Sequence, residues 1–319
     1  MSSTAELILA GVAARATYLV PILAAAFLLG EPLAKFLRFP ALRTQIGGLV
    51  RHLNIKLNRS SRSTATRLYR GIVALLMLLV PSLAIGILLL RPAEWVQLLA
   101  AILFTALFGE LVKPYQLLRI RRAAKSGTLT LQSNEPPFLF PDTHAQLRYT
   151  ILVAADRVAL LIGASLFYLA ASLPGALLYL MLAASARYYA PAHTGNLAFG
   201  WAAHALFRLL DAVPRFITSL LLWIAALFTP RTAPFSTLRH VASAAKQFHG
   251  WLAYLLQLSL GGPVPTAAGD TTLPWLGIGT PKPDAIHLSR AIQLAAIATL
   301  LWILLLASTI YVFPDDLYQ

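Results

Sequence analysis

Eight residues in the middle of this chain could do chemistry: Asp156, Arg157, Arg187, Tyr188, His204, Arg208, Asp211 and Arg215. Four of them, His204, Arg208, Asp211 and Arg215, recur at spacings of four, three and four, which places them along one side of a helix. Guanidinium groups grip carboxylates and phosphates through paired N–H donors, so Arg208 and Arg215 could hold an anionic or phosphorylated ligand. Alternatively, Asp211 neutralises both and helps the helix sit at a membrane interface. Spacing alone does not choose. Asp156 and Arg157 pose the same question, because a charge inside an apolar run marks either function or a bond to another helix.

The elements that must position these residues lie in an apolar stretch from Pro174 to Thr218. The run Pro174 to Ala186 is too short for a crossing, which needs about 20 residues, and it ends on Arg187, Tyr188 and Tyr189. It reads as a re-entrant or interfacial segment, followed by a Pro, His and Gly turn and then the helix carrying the polar ridge. Polar groups at membrane depth cost several kcal/mol unless bonded or wetted, so such a ridge marks a cavity or a pairing site.

With 58% hydrophobic and 12% charged residues, the 319-residue chain falls well outside the globular norm of about 25% charged. This is the composition of an all-α polytopic membrane protein. The net charge of +14 would suggest nucleic acid in a soluble protein. Here the basic residues cluster between apolar runs, as cytoplasmic loops do, and nucleic acid is not expected. With no cysteine, disulfides, thiolate metal sites and a cysteine nucleophile are excluded.

Six spans are expected, at about 8–29, 71–90, 95–112, 149–172, 216–228 and 291–313. The first ends at Gly30, Glu31 and Pro32, and Arg15 inside it must snorkel or pair. Cytoplasmic loops fall at about 31–70, 113–148 and 229–290. The first carries Lys35, Arg38, Arg43, Arg51, Lys56, Arg59, Arg62, Arg67 and Arg70 against Glu31 alone, a run that reads as topology plus contact with anionic lipid. The third contains a mildly apolar helix near 241–260. Six crossings put both termini outside, in what would be a bacterial cytoplasmic (inner) membrane. The chain lacks a phosphate loop, a dinucleotide fingerprint, paired-histidine metal spacing and a nucleophile elbow, so no metal ligands are assigned.

Five separate blocks, in order, resemble the CobD/CbiB family of membrane proteins from cobalamin biosynthesis. LLGEP at 28–32 is similar to the family's L-L-G-D-P, and QIGGLVRHLNIKLNR at 45–59 to its I-G-x-L-I stretch leading into a basic helix. LFYLAASLPGALLY at 166–179, with Pro174 and Gly175, resembles P-L-F-Y followed by P-G-A-x-x-Y. FGWAA at 199–203, with Gly200, and Pro214 match the block ending in P-A-R. LSLGGP at 258–263 and LGIG at 276–279 supply Gly261, Gly262, Gly277 and Gly279 of the late glycine loops. The resemblance implies ATP-dependent amide formation joining adenosylcobyric acid to an aminopropanol or its phosphate, with ATP and magnesium as cofactors and a corrinoid substrate.

The departures fall on the family's polar residues. Asp156 and Arg157 stand where the family has Glu-Asn, and residues 183–188, AASARY, replace N-T-x-D-S-M. The paired aspartates before P-A-R fall on Phe207 and Arg208, and Pro214 is followed by Arg215 and Phe216. Three functions follow. One is a divergent synthase in which Asp156 and Asp211 serve as catalytic carboxylates, with Arg157, Arg187, Tyr188, His204, Arg208 and Arg215 binding substrate. The second is a catalytically silent relative, comparable to AmpE-like proteins, acting in interaction or signalling. The third is a small-solute transporter, against which the lack of inverted internal symmetry counts.

Overall fold

The computed structural model describes residues 4–36, 42–59, 61–90, 102, 105, 143–189, 197–229, 264–265, 275–276 and 285–312. Among these are six helices and one short ladder: α1 (Thr4–Phe36), α2 (Leu42–Leu57), α3 (Thr64–Leu88), α4 (Thr143–Tyr189), α5 (Leu197–Leu227), β1 (Val264–Pro265), β2 (Trp275–Leu276) and α6 (Ala285–Val312). Five helical stretches are long and apolar enough to cross a membrane: Gly11–Leu28, Thr64–Leu88, Ala154–Tyr189, Ala198–Leu227 and Ile286–Ile310. The chain is a helical membrane protein. Apart from residues 102 and 105, the expected third span at 95–112 lies outside the described residues, as do the helix near 241–260 and residues 313–319.

The chain divides into two compact units: Met1–Val112 with Leu160–Pro214 and Ile303–Gln319, and Lys113–Ala159 with Arg215–Trp302. In the first, Val50, Ala74, Leu75, Leu78, Leu182, Tyr189, Phe199 and Ala203 form one buried cluster drawn from α2, α3, α4 and α5. Glycines let the helices close. The α3 backbone at Gly71 lies against the Phe199 carbonyl, and a Cβ at Gly86 would meet Pro174 Cα at 2.6 Å. The outward side of α3 carries Leu76, Met77, Val80, Leu83 and Ile87, the exposed apolar stripe that lipid requires. In the second unit, Leu288, Ala291, Ala295, Ala298 and Trp302 are buried at three- and four-residue spacing along α6.

Several hydroxyls in or just after these apolar helices bond to a carbonyl one turn back. Ser165 donates to the Leu161 carbonyl, Ser185 to Met181, Thr229 to Ala225 and Thr299 to Ala295, each at 2.7–2.9 Å.

Three sequence expectations need correction. Helix α1 runs through Gly30, Glu31 and Pro32 to Phe36. A proline removes one N–H and bends a helix, yet in a long apolar helix the remaining bonds carry it past. The basic segment 31–70 is not a simple loop, since α2 occupies Leu42–Leu57 and α3 begins at Thr64 after an N-cap from Ser63. Its signal was present as Ile46, Val50, Leu53 and Leu57 at helical spacing. The ridge helix and the expected fifth span are one element, α5, with Pro214 inside it. The run after Pro174, expected to be re-entrant or interfacial, is largely buried and packs back on the helix before it.

That reversal is the main feature of the fold. The backbone of α4 leaves helical values at Ala171 (φ −134°, ψ 22°) and Ser172 (φ 58°, ψ −151°), so two helices meet there. In a straight helix residues 163 and 179 would stand about 24 Å apart. Instead the Tyr179 ring fills the space beside Gly163, and the Phe167 carbonyl lies against Gly175. The pairs 163/179 and 167/175 share a midpoint at 171, so the chain turns back antiparallel there. The expected break after the fourth span is therefore real, and its product is a tight helical hairpin ending at Tyr189.

Candidate functional site

The hairpin turn leaves the last carbonyls of the first α4 helix without partners inside that helix. Arg15 supplies them from α1, its Nη1 donating to the carbonyls of Leu169 (2.6 Å) and Ala170 (2.9 Å). A cation at a helix C-terminus also meets the negative end of the helix dipole. The side chains of Tyr168 and Ser172 share a further hydrogen bond across the turn. Arg15, flagged by its charge in an apolar run, thus caps a helix break more than 150 residues away in sequence.

On the returning helix, Tyr179 is fully buried and donates its hydroxyl to Asp211 Oδ1 on α5 at 2.6 Å. That length suits a hydrogen bond to a carboxylate. Asp211 is 1% exposed. The Tyr179 ring stacks on Phe167 at 5.0 Å and tilts against Phe207 at 5.8 Å, so aromatic faces hold the phenol on both sides. Neighbours on the ridge differ in environment. His204 is half-buried and Arg208 is exposed. At 100° per residue, positions 208 and 211 diverge by about 60°, enough to send one outward and the other inward.

Arg215 and Asp156 lie together in the second unit, Nη2 to Oδ1 at 3.5 Å, with side chains 39% and 38% exposed. This is a long, loosely held pair between α5 and α4. Arg157 and Arg187 are half-buried. Tyr188 packs against α2. A Cβ at Gly47 would meet its ring at 2.8 Å, Arg51 lies over the ring at 5.2 Å, and its carbonyl accepts from Asn54 Nδ2 at 3.2 Å. Tyr188 docks α2.

Pro174 and Gly175 are buried at the start of the return helix and Gly200 is buried on α5. Gly261, Gly262, Gly277 and Gly279 lie outside the described residues, though β1 and β2 pair between them, Val264 with Leu276 and Pro265 with Trp275. Among the described residues no group of three or more His, Asp or Glu side chains gathers as a metal site. What the arrangement can do is bind helices to one another through buried polar contacts and present one half-exposed Asp–Arg pair. Sequence reasoning passed over Tyr179 and Asn54 as polar partners, because their acceptors lie 32 and 134 residues away.

No family model, curated protein or solved structure matches the chain.

Proposed function

We propose that this chain is a CobD/CbiB-like membrane protein, with both termini outside and its basic segments cytoplasmic, that acts by interaction or signalling and does not form the amide bond. The observation that carries this reading is the engagement of Asp211. A carboxylate 1% exposed and bonded to a buried phenol is placed to join α4 and α5, where substrate has no access to it. A structural use for Tyr188 and an ion pair linking Asp156 to Arg215 point the same way.

The order of the five sequence blocks favours a second reading, a working synthase, in which the half-exposed Asp156 and Arg215 meet the substrate. Complementation separates the two. A bacterial strain lacking its cobinamide synthase, supplied with this chain at confirmed membrane levels, is expected to stay unable to make cobalamin from adenosylcobyric acid. Restored cobalamin production, lost again in Asp156→Asn, would establish the synthase and overturn our reading.

A further inference from the structure

Helix α2 is held on two of its three sides. Counting 100° per residue, Val50, Leu53 and Leu57 share a 60° arc and enter or border the buried cluster. Gly47, Arg51, Asn54 and Asn58 share a second arc. The first three of these meet Tyr188, and Asn58 Nδ2 donates to Asn54 Oδ1 at 3.0 Å. The remaining arc, about 120° wide, carries Leu49, His52, Ile55 and Lys56, and Arg59 follows directly after the helix end. All five are exposed, Ile55 at 75% and Leu49 at 51%.

We infer that this outward face of α2 is a binding platform for anionic phospholipid, with Lys56 and Arg59 on the headgroup phosphate and Leu49 and Ile55 entering the acyl layer. Three observations choose that occupant. From Leu42 to Arg70 the chain has seven Lys or Arg and no acid, so the face complements negative charge only. The exposed side of α3, which follows after a short turn, begins with Tyr69 at 68% exposure and continues as an apolar stripe. An aromatic followed by such a stripe is the pattern of a membrane interface, which sets α2 beside the headgroups. Finally, basic and large apolar side chains share one arc, as an interfacial helix demands and a water-facing one does not.

The test uses the full chain purified in detergent and titrated with phosphatidylglycerol or phosphatidylcholine, with bound lipid counted by native mass spectrometry. Phosphatidylglycerol should be retained in preference. A juxtamembrane charge contributes about 1 kcal/mol toward an anionic surface, so Lys56→Gln with Arg59→Gln should weaken that retention roughly 30-fold at low salt. Leu49→Asn with Ile55→Asn should also weaken it, while Arg290→Gln, a charge removed elsewhere, should not. All five positions are exposed or half-buried, and unchanged circular dichroism will show that each variant folds. Equal retention of the two lipids, an equal loss in Arg290→Gln, or no loss in either double variant would overturn the proposal. So would displacement of the lipid by millimolar inorganic phosphate, which would assign the site to a free anion.

Discussion

Removing one hydroxyl at Tyr179 tests whether Asp211 is a structural element. Tyr179→Phe keeps the ring, and with it the stack on Phe167 and the fit beside Gly163, so the hydrogen bond to Asp211 is what changes. Hydrogen bonds to charged groups contribute about 1.5–3 kcal/mol, and interhelical bonds measured inside membranes by double-mutant cycles reach about 1.7 kcal/mol. The buried position of both groups places this bond at the upper end, near 2 kcal/mol for the single substitution. At roughly 2 °C per kcal/mol for a chain of this size, Tm should fall by about 4 °C. The chain has no cysteine for thiol dyes, so tryptophan fluorescence or aggregation-coupled chromatography in detergent is the suitable assay. Asp211→Asn keeps an acceptor oxygen and should cost less than Asp211→Leu, which strands the Tyr179 hydroxyl. In the cycle Tyr179→Phe, Asp211→Leu and the double variant, a coupling of about 1 kcal/mol or more is expected. A coupling below about 0.3 kcal/mol would refute the reasoning, because the two groups would then be stable independently of each other.

Substitutions at two further positions probe the hairpin turn. Arg15→Leu should lower stability by about 1–3 kcal/mol through loss of the cap on Leu169 and Ala170, and Arg15→Lys should recover part of it, since a single nitrogen makes both bonds; thermal melts in detergent measure this. Ser172 has a φ of 58° with a ψ of −151°, a region open essentially to glycine. Ser172→Gly and Ser172→Ala both remove the hydroxyl, so the difference between them isolates the backbone. Ser172→Gly should be the more stable by about 1–2 kcal/mol in the same melts, and equal values would mean the turn carries no strain.

Much of the helical framework was legible because a bilayer imposes simple demands. Apolar runs of spanning length show themselves by composition, and α3, with Pro81 inside it, lies close to the expected second span. The break after the fourth span was also readable, because Pro174 and Gly175 interrupt a run too short to cross again. Less was legible where charge disguised packing. Residues 42–57 look like a cytoplasmic basic loop, yet Val50 is fully buried, since one arc of a basic helix can be apolar while the rest meets water or lipid. Pro32 marks the expected end of the first span and the span expected at 216–228 stands apart from the ridge helix, yet long apolar helices pass through both Pro32 and Pro214.

What the amino-acid order determined by itself is local: which runs are apolar enough for lipid, where basic residues gather, and which positions share a helical face. What tertiary structure alone decided is the pairing of polar groups across distance. Arg15 finds the carbonyls of residues 169 and 170, Tyr179 finds Asp211, and Arg215 finds Asp156, because the chain reverses at Ala171 and Ser172 and the helices close over their glycines. A hydrogen bond depends on separation and angle in space, and periodicity along one helix carries no information about which other helix will stand opposite it.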